Sequence, residues 1–173
     1  MFKKIKKYFF YQAFNTNDVK RKAGINKVDS VCILFDGTNE SERKIVHKFK
    51  KQINPLGNKL VKSLAFINNR LPLDNIDYDA YNLKDVNWYG IPKSEKVTEF
   101  INYDFDLLIV LCNRMLPHFE FIVAHSQSRF IIGPAITRST RYFHMIVDSP
   151  ESNDSNVIIQ KIIEAIDSIS IKN

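Results

Sequence analysis

Asp106-Leu107-Leu108-Ile109-Val110-Leu111-Cys112 is the strongest buried-strand signal in the chain. Apart from the leading acid, the run is continuously apolar, which is typical of a strand that is covered on both faces. A second run of the same kind, Ser30-Val31-Cys32-Ile33-Leu34-Phe35-Asp36, lies earlier in the chain. Strands covered on both faces belong to parallel sheets, because the crossover connections of such sheets place helices on each side. The sequence therefore predicts an α/β fold.

Shorter signals extend this pattern along the chain. Further strands are predicted at 61–67, 129–133 and 143–147, and helices at about 39–53, 93–102, 115–125 and 153–169. The alternation of strands and helices predicts a single doubly wound, mostly parallel, five-stranded sheet. Numbered along the chain, its strands take the flavodoxin-like or Rossmann-like order 2-1-3-4-5. Residues 68–92 are polar and are predicted to be irregular.

One connection does not fit this scheme. Residues 134–142 are too few for a helical crossover, since parallel strands are usually joined by a dozen or more residues. The last strand is therefore expected either to be joined by a bare loop or to run antiparallel at the edge of the sheet.

The composition is that of one globular domain without a membrane span. The chain has 173 residues, of which 45 % are hydrophobic, and no apolar run approaches the roughly 18 residues that a transmembrane helix needs. Cys32 and Cys112 both lie in the apolar runs, which favours buried, reduced thiols over a disulfide. We expect a cytoplasmic protein, with a peripheral position at the inner membrane surface as the alternative, and a basic start that is retained rather than cleaved.

The positive charge is concentrated at the N-terminus. The net charge is +6, but residues 1–27 hold eight basic side chains and one acid, whereas residues 28–173 are close to neutral. We therefore divide the chain into a basic N-terminal arm, 1–27, and an α/β domain, 28–173. Contacts with an anionic surface are expected from Lys3, Lys4, Lys6, Lys7, Lys20, Arg21 and Lys22.

The start of the arm has the pattern of an amphipathic helix. Phe2, Ile5, Phe9 and Ala13 recur at spacings of three and four, and lysines occupy the other side. Three interpretations stay open. The lysines bind the phosphates of RNA or DNA, or the helix lies on an anionic membrane with its aromatic rings at headgroup level, or the apolar stripe packs on the protein's own core while the lysines face water.

Catalytic and metal-binding patterns in the sequence are incomplete. The run Leu34-Phe35-Asp36-Gly37-Thr38 is similar to the DxDGT motif of haloacid dehalogenase phosphatases, but Leu34 stands where the nucleophilic aspartate is required. A phosphate-binding loop needs more glycine than the single Gly37. The four histidines form no HxxxH or HExxH pair. The sequence therefore predicts no catalytic residue, no metal and no cofactor.

A ligand crevice is predicted from the position of the strands alone. In doubly wound sheets, ligands bind beyond the carboxyl ends of the strands, where the strand order reverses. This rule places one set of polar residues around a single crevice: Asp36, Thr38, Asn39, Asn113 and Arg114, with Asp148 and Ser149 further along. Arg114 is the natural anion clamp, because a guanidinium can hold a carboxylate or a phosphate in two bonds. Ordinary loop polarity is the alternative.

Three segments carry a family resemblance: Asn87-Trp88-Tyr89-Gly90-Ile91-Pro92-Lys93-Ser94, Phe105-Asp106-Leu107-Leu108-Ile109 and Ser128-Arg129-Phe130-Ile131-Ile132-Gly133. Over residues 28–170 the chain resembles a small uncharacterised family of Bacteroidetes proteins, which implies a fold and no activity. Residues 105–133 are also similar to part of the N-terminal half of heptosyltransferase-like glycosyltransferases. Those enzymes bind their sugar nucleotide largely with a second half that has no counterpart here, so the resemblance implies no transferase activity.

Two functional hypotheses follow from these observations. The first is a non-enzymatic binding or adaptor protein, whose arm holds an anionic surface, RNA or the ribosome first and a membrane second, while the neutral domain docks a protein partner. The alternative is a small-ligand enzyme or sensor that uses the crevice around Asp36, Asn113 and Arg114.

Overall fold

The computed structural model describes residues 2–13, 27–53, 60–74, 76–136, 140–147 and 155–170. The helices are α1 (Phe2–Ala13), α2 (Glu40–Ile53), α3 (Glu95–Asn102), α4 (Pro117–His125) and α5 (Ser155–Ser170). The strands are β1 (Ser30–Asp36), β2 (Leu60–Ile67), β3 (Asp79–Asn82), β4 (Leu107–Leu111), β5 (Phe130–Pro134) and β6 (Met145–Val147). No helix in this part of the chain is long and apolar enough to cross a membrane.

The strands form one parallel sheet. Their order is β3-β2-β1-β4-β5-β6, and each pair of neighbours runs parallel. Strand β1 is paired on both sides, with Val31 opposite Val61 of β2 and Leu107 of β4. The strand order reverses between β1 and β4: β2 and β3 follow outward from β1 on one side, and β5 and β6 follow outward from β4 on the other. The predicted α/β class and mostly parallel sheet are confirmed.

The prediction of five strands is wrong, and the strand order differs because a strand is added outside β2. Strand β3 lies within residues 68–92, which were predicted to be irregular, and it forms an outer edge of the sheet. Its signal in the sequence is weak because it has only four residues and is polar at both ends. Tyr81 anchors it, since its buried ring lies against Phe66 with the ring centroids 5.3 Å apart.

Strand β6 lies parallel to β5 at the opposite edge, so the antiparallel alternative for the last strand is wrong. Met145 pairs with Ile132, and Val147 with Pro134. A 3₁₀ turn, Thr140–Tyr142, precedes β6. Phe143 then packs against Gly133, where a Cβ atom would overlap the phenyl ring. The short connection fits because β5 carries no side chain at this position.

Helices cover both faces of the sheet. On one face, Phe49 of α2 and Ile162 of α5 share a buried cluster with Ile33 of β1. On the other face, helices α3 and α4 pack on the sheet, with Phe119 against the cluster that contains Leu34. Successive side chains of a strand point to opposite faces, which explains why β1 is apolar throughout. Both cysteines are free and buried, as predicted.

Candidate anion-binding surface

The predicted crevice begins at the loop that follows β1. Asp36 Oδ1 accepts a hydrogen bond from the backbone amide of Thr38 at 3.0 Å, and Thr38 Oγ1 accepts one from the amide of Asn68, also at 3.0 Å. The guanidinium of Arg43 donates to the carbonyls of Gly37 and Thr38, at 2.6 and 3.1 Å. These bonds close the loop on itself and tie it to the end of β2.

The other half of the predicted crevice follows β4. Asn113 and Arg114 are exposed, as are Thr38 and Asn39. Pairing of β1 with β4 brings the two loops to the same edge of the sheet, but no hydrogen bond or ion pair among the described residues joins one loop's predicted residues to the other's. The cavity described below is lined by other side chains. Asp148 and Ser149 lie outside the described residues.

A buried polar pair lies beneath this edge. The Nδ1 atom of His118 is 2.8 Å from the hydroxyl of Tyr81, and both side chains are buried. Burial lowers the pKa of His118 to about 4, against a weaker opposing effect of Asp36. Burial also raises the pKa of Cys112 to about 12. The ring of His118 lies 4.2 Å from that of Phe66 between centroids, and Cys112 belongs to the buried cluster that contains Leu34. We therefore assign both groups to core packing.

Helix α1 lies against the turn that follows β3 and against the start of α4. Phe10 is only 5 % exposed. A Cβ atom on Gly90 would lie 3.8 Å from the Phe10 ring and 2.8 Å from Pro117. The ring of Phe9 contacts that of Trp88 edge to face, with centroids 5.3 Å apart. Aromatic contacts therefore hold α1 to the body of the protein.

The turn from Asn87 to Gly90 presents two aromatic rings beside α1. The Oδ1 atom of Asn87 accepts hydrogen bonds from the amides of Gly90 and Ile91, both at 2.9 Å. Gly90 has a φ of 104°, in the left-handed region that favours glycine. The turn thereby fixes Trp88 and Tyr89, whose rings meet edge to face at 5.2 Å.

The apolar stripe predicted on α1 is not the face that docks. Ile5 and Phe9 of that stripe are 43 % and 45 % exposed, whereas Phe10, outside the stripe, is buried. The side chains of Phe2 and Ala13 lie outside the described part of the chain. Residues three, four and seven positions before Phe10 share its face of the helix, and these are Lys7, Lys6 and Lys3. Docking through Phe10 therefore turns lysines towards the protein and leaves Ile5 and Phe9 outside.

A cavity of about 640 Å³ lies between α1, the turn at Tyr89 and the start of α4. The basic side chains that line it are Lys3, Lys6 and Lys7 of α1 and Arg141, and the acidic one is Glu120. Phe10, Tyr89 and Met115 contribute apolar surface. Among the described residues, no carboxylate lies within ion-pair distance of the three lysines. The cavity therefore carries an excess of positive charge.

The acid of this cavity is already engaged. Glu120 Oε1 accepts hydrogen bonds from Arg141 at 2.7 Å and from the hydroxyl of Tyr142 at 3.2 Å. Burial, followed by the Glu120 carboxylate, raises the pKa of Tyr142 to about 12, so its hydroxyl keeps the proton that it donates. Glu120 consequently leaves the charges of the three lysines uncompensated.

The outer side of α1 forms an exposed aromatic surface. Tyr8 is 61 % and Trp88 55 % exposed. The ring of Phe9 lies between them, with centroids 5.7 Å from Tyr8 and 5.3 Å from Trp88. We define the α1 surface as these rings with the four exposed lysines of the helix, three of which (Lys3, Lys6 and Lys7) also border the cavity: Lys3, Lys4, Lys6, Lys7, Tyr8, Phe9 and Trp88. The predicted contacts Lys20, Arg21 and Lys22 lie outside the described residues.

Comparison with protein families covers nearly the whole chain. The model of a family of unknown function, DUF6913, matches residues 3–167. The chain belongs to DUF6913. The matched region of this DUF6913 member includes most of α1 as well as the α/β domain, and the expected membership of an uncharacterised family is confirmed. No curated protein and no solved structure matches the chain.

Sequence reasoning identified the lysines of this DUF6913 member but missed their neighbours. Trp88 and Tyr89 were noted only as part of a family pattern, although a tryptophan beside a tyrosine in a polar loop is an available signal for a surface contact. Glu120 and Arg141 gave no signal, because 21 positions separate them and only the fold brings them together.

Proposed function

We propose that this DUF6913 member is a non-enzymatic binding protein that holds RNA, the ribosome foremost, through the α1 surface. The observation that carries the proposal is the juxtaposition of exposed lysines with three exposed rings, in which Phe9 contacts both Tyr8 and Trp88. Lysines attract phosphates, and the release of condensed counterions favours their binding. Exposed rings offer faces on which unpaired bases stack.

The charge distribution supports an adaptor role. Residues 28–173 are close to neutral in net charge, so the excess positive charge that attracts RNA comes from the arm, residues 1–27. In this proposal the arm and the domain are separate units, and the neutral domain docks a protein partner while the arm holds the anionic surface.

An anionic membrane surface is the second candidate, and the exposure of Ile5 favours it. Ile5 lies on the outer side of α1 with Phe9, and Trp88 is exposed beside them. A helix lying in the headgroup region would bury the isoleucine and place the rings at the interface, with the lysines near anionic lipids. Stacking on bases gives an exposed isoleucine no comparable role.

Co-sedimentation with ribosomes through a sucrose cushion tests the proposal. One variant replaces Lys4 and Lys7 of α1 by glutamine, which keeps the helix propensity. The matched control replaces Lys48 and Lys51, two exposed lysines of α2. We expect the α1 variant to bind about tenfold more weakly and to lower the slope of log affinity against log salt by about 1.5, because two phosphate contacts are lost. The control should bind as the original chain does.

Anionic vesicles in the same assay distinguish the two candidates. Trp88 is the only tryptophan of the chain and reports the contact through its fluorescence. Stacking on bases quenches the emission, whereas insertion at the headgroup level moves it to shorter wavelength. Ribosome binding that the α1 variant and the control reduce equally would overturn the proposal. Binding to phosphatidylserine vesicles, without binding to ribosomes, would replace RNA by the membrane.

Some finer expectations belong to the same proposal. They are a cytoplasmic location, a family centred on Bacteroidetes, and a flavodoxin-like or Rossmann-like relationship of the sheet. The order β3-β2-β1-β4-β5-β6 supports the Rossmann-like variant, since 3-2-1-4-5-6 is the usual order of dinucleotide-binding sheets. The likeness of residues 105–133 to heptosyltransferase-like enzymes is retained as a relationship of fold, without their activity.

A further inference from the structure

The cavity under α1 opens near the carboxyl end of β4, beside the point where the strand order reverses. Met115 and Pro117, which line it, follow β4 closely in the chain. Ligands of open α/β sheets bind beyond the carboxyl ends of the strands at this point. The volume of about 640 Å³ lies within the roughly 300–1,000 Å³ of small-molecule sites. The position and the volume of the cavity therefore suit a small ligand. The chemical class of that ligand is inferred from the residues that line the cavity.

The charge of the lining selects an anion. Lys3, Lys6 and Lys7 line the cavity without a described carboxylate partner, and Glu120 is engaged by Arg141. Like charges held this close repel one another, more strongly where protein displaces water. The start of α4, whose N-cap has no side-chain hydrogen bond, adds potential of the same sign. A ligand with several negative charges relieves this repulsion better than one with a single carboxylate.

Aromatic and apolar side chains form another part of the cavity lining. Tyr11 and Tyr89 contribute rings, and Met115 contributes an adaptable thioether. The ammonium group of Lys7 lies 5.8 Å from the centre of the Tyr11 ring, so charge and ring are adjacent. Aromatic rings stack on planar heterocycles without regard to their exact identity. A ligand that joins several phosphates to a planar heterocycle therefore matches both parts of the lining.

We propose that the cavity under α1 binds a nucleoside di- or triphosphate. Lys3, Lys6 and Lys7 hold the phosphates, and the base lies against Tyr11 and Tyr89. The site goes beyond RNA binding, because its ligand is a free nucleotide inside the cavity rather than a polymer on the outer side of α1. It also differs from the crevice at Asp36 and Arg114, which this cavity does not include.

Isothermal titration calorimetry of the full chain tests the site, with ATP, adenosine and inorganic pyrophosphate as probes. We expect ATP to bind, and adenosine and pyrophosphate each to bind at least about tenfold more weakly, because each lacks one half of the matched ligand. Lys6→Gln should weaken ATP binding about tenfold. Lys4→Gln is the matched control, since it removes the same charge from the same helix outside the cavity lining, and it should change the affinity less than about twofold.

Met115→Ala separates this site from RNA binding. Met115 lines the cavity and is not part of the α1 surface, so the variant should weaken ATP binding and leave ribosome co-sedimentation unchanged. Circular dichroism confirms that each variant is folded. Absence of ATP binding at millimolar concentration would overturn the site. Equal effects of Lys4→Gln and Lys6→Gln, or pyrophosphate binding as tightly as ATP, would also overturn it in favour of general charge attraction. ATP binding by a chain that does not bind ribosomes would support the site while removing the proposed RNA function.

Discussion

At the scale of single residues, Asp106 joins the starts of the two central strands. Its Oδ2 atom accepts hydrogen bonds from the amides of Asp29 and Ser30, both at 3.0 Å, and from the Ser30 hydroxyl at 2.9 Å. The same hydroxyl oxygen accepts the amide of Asp106 at 3.0 Å. Arg129 adds an ion pair to Oδ1 at 3.3 Å. From the sequence Asp106 is only the acid that precedes an apolar run, because its hydrogen-bond partners Asp29 and Ser30 lie 77 and 76 positions away.

Asp106→Ala should destabilise the domain by at least about 2 kcal/mol, since hydrogen bonds to a charged group contribute about 1.5–3 kcal/mol each and two backbone donors lose their acceptor. The matched control is Asp104→Ala, which removes an exposed carboxylate paired with the same Arg129 at 3.1 Å. Exposed ion pairs contribute little, so the control should lose only a small fraction of that stability. Urea unfolding followed by circular dichroism measures both. Equal losses in the two variants would show that Asp106 acts only through Arg129.

At the scale of elements, the sequence predicted the helices and strands whose formation depends on neighbouring residues in the chain. Continuous apolar runs located β1 and β4 to within about a residue, because strands buried on both faces are apolar at every position. Strand β3 escaped prediction because its burial rests on the contact between Tyr81 and Phe66 rather than on a run. The helix of α1 was predicted, but its docking face was not, since the partner turn at Trp88 lies far along the chain. The sequence therefore allowed the lysines of the candidate site to be predicted. It did not allow prediction of the aromatic and acidic side chains that the fold brings beside them.

The parallel pairing of β6 with β5 depends on Gly133, because a glycine leaves room for the ring of Phe143. Gly133→Ala places a methyl group inside the ring position of Phe143 and should cost about 1–3 kcal/mol through overpacking. In a Phe143→Leu background the same substitution should cost much less, because the obstructing ring is gone. A double-mutant cycle of urea unfolding free energies measures this coupling. Additive effects would mean that the short connection is accommodated in another way.

At the scale of the whole molecule, α1 packs on the protein outside the two buried clusters of the sheet. The buried clusters on the two faces of the sheet include no residue of α1 among the described residues. A helix of 12 residues is only marginally stable on its own in water. The order of α1 therefore depends on the docking of Phe10 near Gly90 and Pro117. We therefore predict that the division by charge between arm and domain coincides with a division by stability.

Phe10→Ala should release α1 without unfolding the domain. Hydrogen exchange followed by mass spectrometry is expected to show at least about tenfold faster exchange of the α1 amides, with the β1 and β4 amides unchanged, because local opening needs less free energy than global unfolding. Tyr8→Ala is the matched control, since it removes a ring of the same helix that is 61 % exposed and contacts Phe9 within the helix, and it should accelerate α1 much less. If the amides of β1 and β4 also lost their protection from exchange, the helix would be shown to be an integral part of the core. The boundary near residue 28 would then be wrong, and the α1 surface would belong to the domain itself.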